Sequence, residues 1–298
     1  MPPTSQDPGE LATGFSIMGR YQIQQRLGQG SFGKVYLAQD MSSKGSLRAV
    51  KQLLADPSSM AFKTGEQQAL WKQETTTLSK LNHPGLPKIF EWFYLPQGFF
   101  IIMEWIEGKL LDDMIKTATK PLGQEEALVW AVEVADMLNY LHSQKPYPIV
   151  YGDMKPENIM ITPDGHARVI DFGVARFLNP SVKTPQTFTF VSPGFSPPEQ
   201  YKSPNMTQKN DIYAFGSTMW NMLTKENPEK YNFKFPRLSR TLRGLDPELD
   251  RILEQCLQER PEQRYASMKE LYQDLDRIYK DLIAKREKQK NNPYWRGG

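Results

Sequence analysis

Four short stretches carry residue types suited to phosphate chemistry. In Gly28-Gln29-Gly30-Ser31-Phe32-Gly33 the glycines leave backbone N–H groups free to approach phosphates, because no Cβ crowds the turn. Alone, such a hairpin reads equally well as a tight turn. Ala49-Val50-Lys51 then places a lysine inside a β-forming run, where its ammonium can hold phosphate oxygens. Further along, Asp153-Met154-Lys155-Pro156-Glu157-Asn158 puts a carboxylate, a cation and a carboxamide in one loop. Asp171-Phe172-Gly173 follows it after one strand-like segment.

The elements that must position these residues change character along the chain. Tyr21, Ile23 and Leu27 before the glycines, and Val35 to Ala38 after them, are β-formers, so the Gly-rich stretch is the tip of a hairpin. A dinucleotide fold would need a helix after the third glycine, and Lys34-Val35-Tyr36-Leu37 reads as strand. Leu47 to Leu53, Ile89 to Tyr94 and Phe99 to Trp105 are further strands. Leu70, Glu74, Leu78 and Leu81 recur at helical spacing between them. From Gln124 onward helices dominate, with apolar stripes at Leu128, Ala131, Val132, Ala135, Leu138 and Leu141, then at Ile212, Phe215, Met219 and Met222. Two more follow, at Leu249, Ile252, Leu253, Cys256 and Leu257, and at Leu271, Leu275, Ile278 and Leu282. The pattern predicts a small sheet-rich lobe before a larger helical one.

Composition narrows the function classes. With 37 Lys and Arg against 34 Asp and Glu, the formal charge of +3 offers no broad electropositive surface for nucleic acid. A lone Cys256 forms neither an internal disulfide nor a cysteine-based zinc site, which fits a reducing, cytoplasmic setting. The longest strongly apolar run, Phe99 to Met103, falls far short of the roughly 20 residues that cross a bilayer. Residues 1–18 read as a flexible tail and 285–298 as a basic extension.

Taken in order, the Gly-rich loop, strand lysine, Asp-x-Lys-x-x-Asn loop and Asp-Phe-Gly motif resemble the protein kinase superfamily over roughly Arg20 to Leu282. Asp153-Met154-Lys155 and the stretch from Ser192 to Gln200 are similar to serine/threonine kinases, particularly the bacterial branch. The resemblance implies an α+β, bilobal kinase fold over 19–284, with an antiparallel-sheet lobe carrying one helix (19–103), a hinge (104–110) and a mainly helical lobe (111–284). It implies ATP and Mg2+, with Mn2+ as a substitute, and serine- or threonine-bearing protein substrates. Relatives of this kind often continue into a membrane anchor.

The roles it implies follow residue by residue. Asp153 would orient the substrate hydroxyl and accept its proton, and Lys155 would neutralise charge on the moving phosphoryl group. Asn158 and Asp171 would supply hard oxygen ligands to magnesium. Lys51 would hold phosphates, directed by a helix carboxylate: Glu74 by its distance before His83-Pro84, with Glu66 about two turns earlier as the competing candidate. Leu27, Val35 and Ala49 would sandwich the adenine, Met103 would back the pocket, and Glu104-Trp105-Ile106 would meet the base through backbone groups. Ser192 would bond both Asp153 and Lys155. Glu199 with Arg264 would form a buried ion pair, and Asp211 would anchor the catalytic loop.

One departure stands out. The family's His-Arg-Asp appears as Tyr151-Gly152-Asp153, so the cation that commonly receives an activation-segment phosphate is missing. Thr184, Thr187 and Thr189 are candidate phosphosites, and Arg176, Lys72 or Lys80 candidate substitute cations. The retained catalytic set argues against a kinase-shaped binding module without catalysis. Ser192 to Gln200 argues against a small-molecule kinase of the aminoglycoside or choline type.

Overall fold

The computed structural model describes residues 10–30, 33–53, 76, 78–96, 98–171, 176–177, 191–203 and 205–290. The chain divides into two compact units, Met1–Glu107 and Gly108–Gly298.

The first unit is built on a six-stranded sheet of β1 (Ser16–Ile17), β2 (Tyr21–Gly30), β3 (Gly33–Asp40), β4 (Ser46–Leu53), β5 (Ile89–Leu95) and β6 (Gly98–Glu104). The spatial order is β1-β2-β3-β4-β6-β5, and every neighbouring pair is antiparallel. Side chains alternate between faces of a strand, so Tyr21 and Ile23, Tyr36 and Ala38, and Phe100 and Ile102 fall on one face with Val50. Leu11 and Ile17 join that core, and the Leu11 N–H donates to the Tyr36 hydroxyl at 3.2 Å. The tail expected over 1–18 is therefore corrected: ordered packing starts by Leu11. A turn with positive φ at Met18 and Gly19 folds β1 back onto β2, and two apolar residues are too few to show a period in sequence. One corner of the sheet is tied by Arg20, whose guanidinium meets both Asp40 oxygens at 2.8 Å and Glu91 at 2.7 Å.

The second unit carries two small sheets and five described helices. β7 (Lys109–Leu110), β9 (Ile159–Ile161) and β10 (Ala167–Val169) form one sheet, in the order β10-β9-β7, and β8 (Ile149–Val150) pairs with β11 (Arg176–Phe177). The helices are α1 (Leu111–Thr117), α2 (Gln124–His142), α3 (Gln208–Thr224), α4 (Pro247–Cys256) and α5 (Met268–Lys290). On α2 the expected stripe is buried except at Val132, which is half-buried while Val134 and Met137 turn inward. All residues of α3 from Asn210 to Leu223 are buried, the mark of a central helix covered on all sides. Its start is set by Thr207, which accepts from the Lys209 N–H, while Asn210 accepts from the Thr207 N–H at 2.9 Å.

Helix α5 packs against α2. Burial, with a smaller contribution from the Asp136 carboxylate of α2, pushes up the phenol of Tyr272, early in α5. A turn and more later, Arg277 pairs with Glu248 at 2.6 Å, beside Asp246, whose N–H donates to Gln124 at the start of α2. The extension expected over 285–298 is corrected in part, since α5 reaches Lys290: Lys, Arg, Glu and Gln are strong helix formers. Among the described residues no helix is long and apolar enough to cross a membrane.

Candidate active site

The loop 151–158 leaves β8 and is held by the first turn of α3. There Asp211, fully buried, accepts the Tyr151 N–H on Oδ2 and the Gly152 N–H on Oδ1, each at 2.8 Å. His142, the last residue of α2, meets Oδ2 through Nε2 at 2.8 Å. For both N–H groups to reach one carboxylate the chain turns through the left-handed region at Gly152, where φ is +82°. The Gly152 carbonyl accepts from Gln200 at 3.4 Å, and Gln200 in turn accepts from Asn210 at 3.2 Å. Burial pushes the Tyr151 phenol well above its usual value, and the Asp171 and Asp153 carboxylates add to the effect.

This turn delivers Asp153 into a closed set of polar contacts. Lys155 Nζ stands 2.9 Å from its Oδ2, the Ser192 hydroxyl donates to its Oδ1 at 2.6 Å, and Lys155 Nζ donates to Ser192 Oγ at 2.8 Å. Asn158 Nδ2 donates to the Asp153 carbonyl at 2.7 Å and to Oδ2 at 3.1 Å. Ser192 is itself fixed: its N–H donates to Ser196 Oγ and its carbonyl accepts the Ser196 N–H, both at 2.9 Å. Asp153, Lys155, Asn158 and Ser192 are thus brought together, with Asp153 and Lys155 still partly open to solvent.

The amide nitrogen of Asn158 is thus engaged on Asp153. The Asn158 backbone carbonyl accepts the Ile170 N–H at 3.0 Å, which brings the start of Asp171 alongside. A carboxamide oxygen and a carboxylate are the hard donors magnesium takes, and it keeps waters and phosphate oxygens for the remaining positions. Among the described residues no group of three or more His, Cys, Asp or Glu side chains is placed to hold a metal ion.

Behind the site, Arg264 engages all five of its N–H donors. They reach the Glu199 carboxylate at 2.6 and 2.9 Å and the carbonyls of Gln258, Lys209 and Glu259 at 2.8, 3.0 and 3.0 Å. Its guanidinium also lies over the Tyr213 ring, 4.9 Å from the centroid. The Arg264 side chain is fully buried and that of Glu199 is 28% exposed, so the pair is open at its acidic end.

The remaining expected residues lie in the first unit. Lys51 is buried on β4, opposite Val35 on one side and Ile101 on the other. Ala49 and Met103 are cross-strand partners and buried, Ile106 is buried, Val35 and Glu104 are half-buried, and Leu27 is exposed. The Glu104 carboxylate accepts the Lys88 N–H at 3.1 Å. Gly28 pairs with Val35 and Gly30 with Gly33. A Cβ at Gly33 would sit 1.9 Å from the Gln52 carbonyl oxygen, so packing demands glycine there; a Cβ at Gly28 would meet nothing within 4 Å. Glu66, Lys72, Glu74, Phe172, Gly173, Thr184, Thr187 and Thr189 lie outside the described residues, as does the Arg176 side chain.

A family model described as protein kinase domain matches residues 21–275. The chain belongs to the protein kinase family. This kinase domain is 32% identical over 218 residues to the serine/threonine-protein kinase PrkC of Bacillus subtilis, covering 73% of the chain and 32% of that protein. It is 26% identical over 279 residues to the serine/threonine-protein kinase PknB of Mycobacterium leprae, covering 88% of the chain and 43% of the relative. The chain therefore spans less than half the length of these curated relatives. In fold it matches the crystal structure of the Mycobacterium tuberculosis PknI kinase domain, with a TM-score of 0.69 and 24% identity over 90% of this chain and 99% of that one. The α+β kinase fold expected from the motifs is thereby borne out.

His142 was not among the residues singled out from sequence. Its signal was faint: a polar side chain closing an otherwise apolar stripe on α2, which reads as a helix end and not as a partner for Asp211.

Proposed function

We propose that this kinase domain transfers the γ-phosphoryl group of ATP to serine or threonine hydroxyls of proteins, with magnesium as the metal. The observation that carries the reading is the triangle of Asp153, Lys155 and Ser192, each pair within 2.9 Å. Lys155 and Ser192 hold the Asp153 carboxylate in one orientation, so it can accept a proton from an incoming alcohol without first reorganising. Lys155 Nζ, with one proton to spare beyond two contacts, neutralises charge on the transferred group. Asn158 and Asp171 would hold magnesium, and magnesium when bound screens the phosphate oxygens from the attacking hydroxyl. Lys51 holds phosphates, and Ala49, Val35, Leu27 and Met103 contact the base; Ile106 and Glu104 contribute backbone groups. The serine/threonine naming of the PrkC and PknB relatives supports the substrate class.

The test is transfer from radiolabelled ATP, with magnesium, to a generic protein, followed by phosphoamino-acid analysis. Asp153→Asn, Lys51→Met and Asp171→Ala should each lower turnover by about a hundredfold or more while the circular dichroism spectrum is kept. Near-normal turnover in a folded variant, or phosphotyrosine as the main product, would overturn the reading.

A further inference from the structure

A cavity of about 190 Å³ lies between α3, the loop at residues 233–238 and α4, and the Asp153 site makes no use of it. Its apolar walls are Trp220, Phe233, Phe235, Leu238, Leu253 and Leu257. That volume is below the roughly 300–1,000 Å³ of sites that enclose a whole small molecule, and it suits one large side chain. Trp220 is 1% exposed and in T-shaped contact with the Tyr231 and Phe235 rings, yet its Nε1–H meets no acceptor among the described residues. A buried N–H without a partner is costly, and a carbonyl oxygen seated in the cavity would supply one.

The loop that walls the cavity is basic. From Lys230 to Arg243 the sequence carries five lysines and arginines and no aspartate or glutamate. Lys230 binds Glu226 and Arg237 binds Glu254, while Lys234 and Arg240 are exposed and pair with no carboxylate among the described residues. Of the lining carboxylates, Asp250 accepts the Leu238 and Ser239 N–H groups and Glu254 holds Arg237, which leaves Glu259 against those two cations.

The same loop abuts the segment that carries Ser192. Gly194 lies so close to the Glu229 backbone that a Cβ has no room, and its carbonyl accepts the Ser217 hydroxyl of α3 at 2.7 Å. Tyr201, further along that segment, is 44% exposed and meets Phe233 edge-on, with 5.5 Å between ring centroids. Asn232 and Phe233 hold φ of +44° and +67°, which side chains resist, so presenting Phe233 to Tyr201 and the cavity costs backbone strain.

We propose that this cavity docks the protein substrate, taking one large aromatic side chain of an acidic segment whose backbone carbonyl accepts the Trp220 N–H and whose carboxylates face Lys234 and Arg240. Burial of the ring supplies the attraction, and the charges select acidic segments over basic ones. The wall shared with Gly194 and Tyr201 makes a substrate the occupant, since a chain whose hydroxyl reaches Asp153 passes Ser192 and can continue along Tyr201. It rests on the reading of this domain as a kinase that phosphorylates proteins.

The experiment follows the indole N–H signals of the 15N-labelled 298-residue protein, with that of Trp220 assigned from Trp220→Phe. The probe is the capped peptide Asp-Asp-Phe-Asp-Asp, beside twins with alanine for phenylalanine and lysine for aspartate. The probe should move the Trp220 signal downfield and saturably, and neither twin should do so. Lys234→Glu, an exposed change, should weaken the response. An unmoved signal, or equal movement by either twin, overturns the proposal. Joined to a serine peptide through linkers of stepped length, the probe should lower KM about tenfold at a favoured length with kcat unchanged. Trp220→Phe should remove most of that gain and leave turnover of the unlinked serine peptide as it was. An indole shift with no fall in KM at any length overturns the proposal in favour of a partner that is not a substrate. The indole shift needs no ATP, so failed docking and failed phosphoryl transfer are read separately.

Discussion

Gly152 donates its N–H to Asp211 at 2.8 Å while holding a φ of +82°, a backbone conformation that side chains resist. The glycine that removes the family's usual arginine is also the residue best suited to the turn that aims Asp153. Gly152→Ala should cost about 1–2 kcal/mol in urea unfolding and lower kcat with little change in KM for ATP, since it loosens the loop without touching substrate. An alanine variant as stable and as fast as the parent would show that the turn has no strain to relieve.

The same substitution bears on control. An activation-segment phosphate gains little without a cation to receive it, and Gly152 supplies none. Phosphatase-treated protein, verified as unmodified by mass spectrometry, should phosphorylate an added protein at a rate comparable to the autophosphorylated form. A loss on the order of a hundredfold, about 2.7 kcal/mol of transition-state stabilisation, would mean that another basic group has taken over the role.

Arg264 is buried with every donor engaged, so its removal leaves Glu199 and three carbonyls short of a partner. Arg264→Met should destabilise the second unit by about 3–5 kcal/mol, seen as a lowered midpoint in chemical denaturation. Glu199→Gln, which keeps an acceptor for the guanidinium, should cost clearly less. Equal losses for the two would assign the effect to packing against Tyr213 instead.

Asp40 provides a pH dependence in the first unit. Its hydrogen bonds to Arg20, foremost, and to Ser42 hold its carboxyl far below the ordinary range. A folded pKa below the unfolded value of about 3.9 gives stability that is complete above that value and is lost as pH falls through the folded one. The stability difference between the parent and Asp40→Asn should be flat, at about 2 kcal/mol, from pH 5 to 7 and should shrink below about pH 4. A difference that stays constant down to pH 2 would exclude the charged pair as its source.

The amino-acid sequence by itself pointed to the order of the main strands and longer helices and to the residues proposed for the site. Both are local: alternation at Tyr21 and Ile23, helical spacing from Leu128 to Leu141, and the short loop from Asp153 to Asn158 are each written in neighbouring residues. It also pointed to the bond that Ser192 makes with Asp153 and Lys155, through the family pattern. The first-unit boundary and the end of α5 were misjudged because Leu11 and Ile17 are too few to show a period, and because basic residues suit a helix and a loose extension alike. Only the tertiary structure decided that His142 and Asp211, 69 residues apart, share a contact, and that Gly152 adopts positive φ. These are matters of which buried polar group finds which partner, and a buried carboxylate or guanidinium takes its partners from whatever the fold brings near, at any separation along the chain.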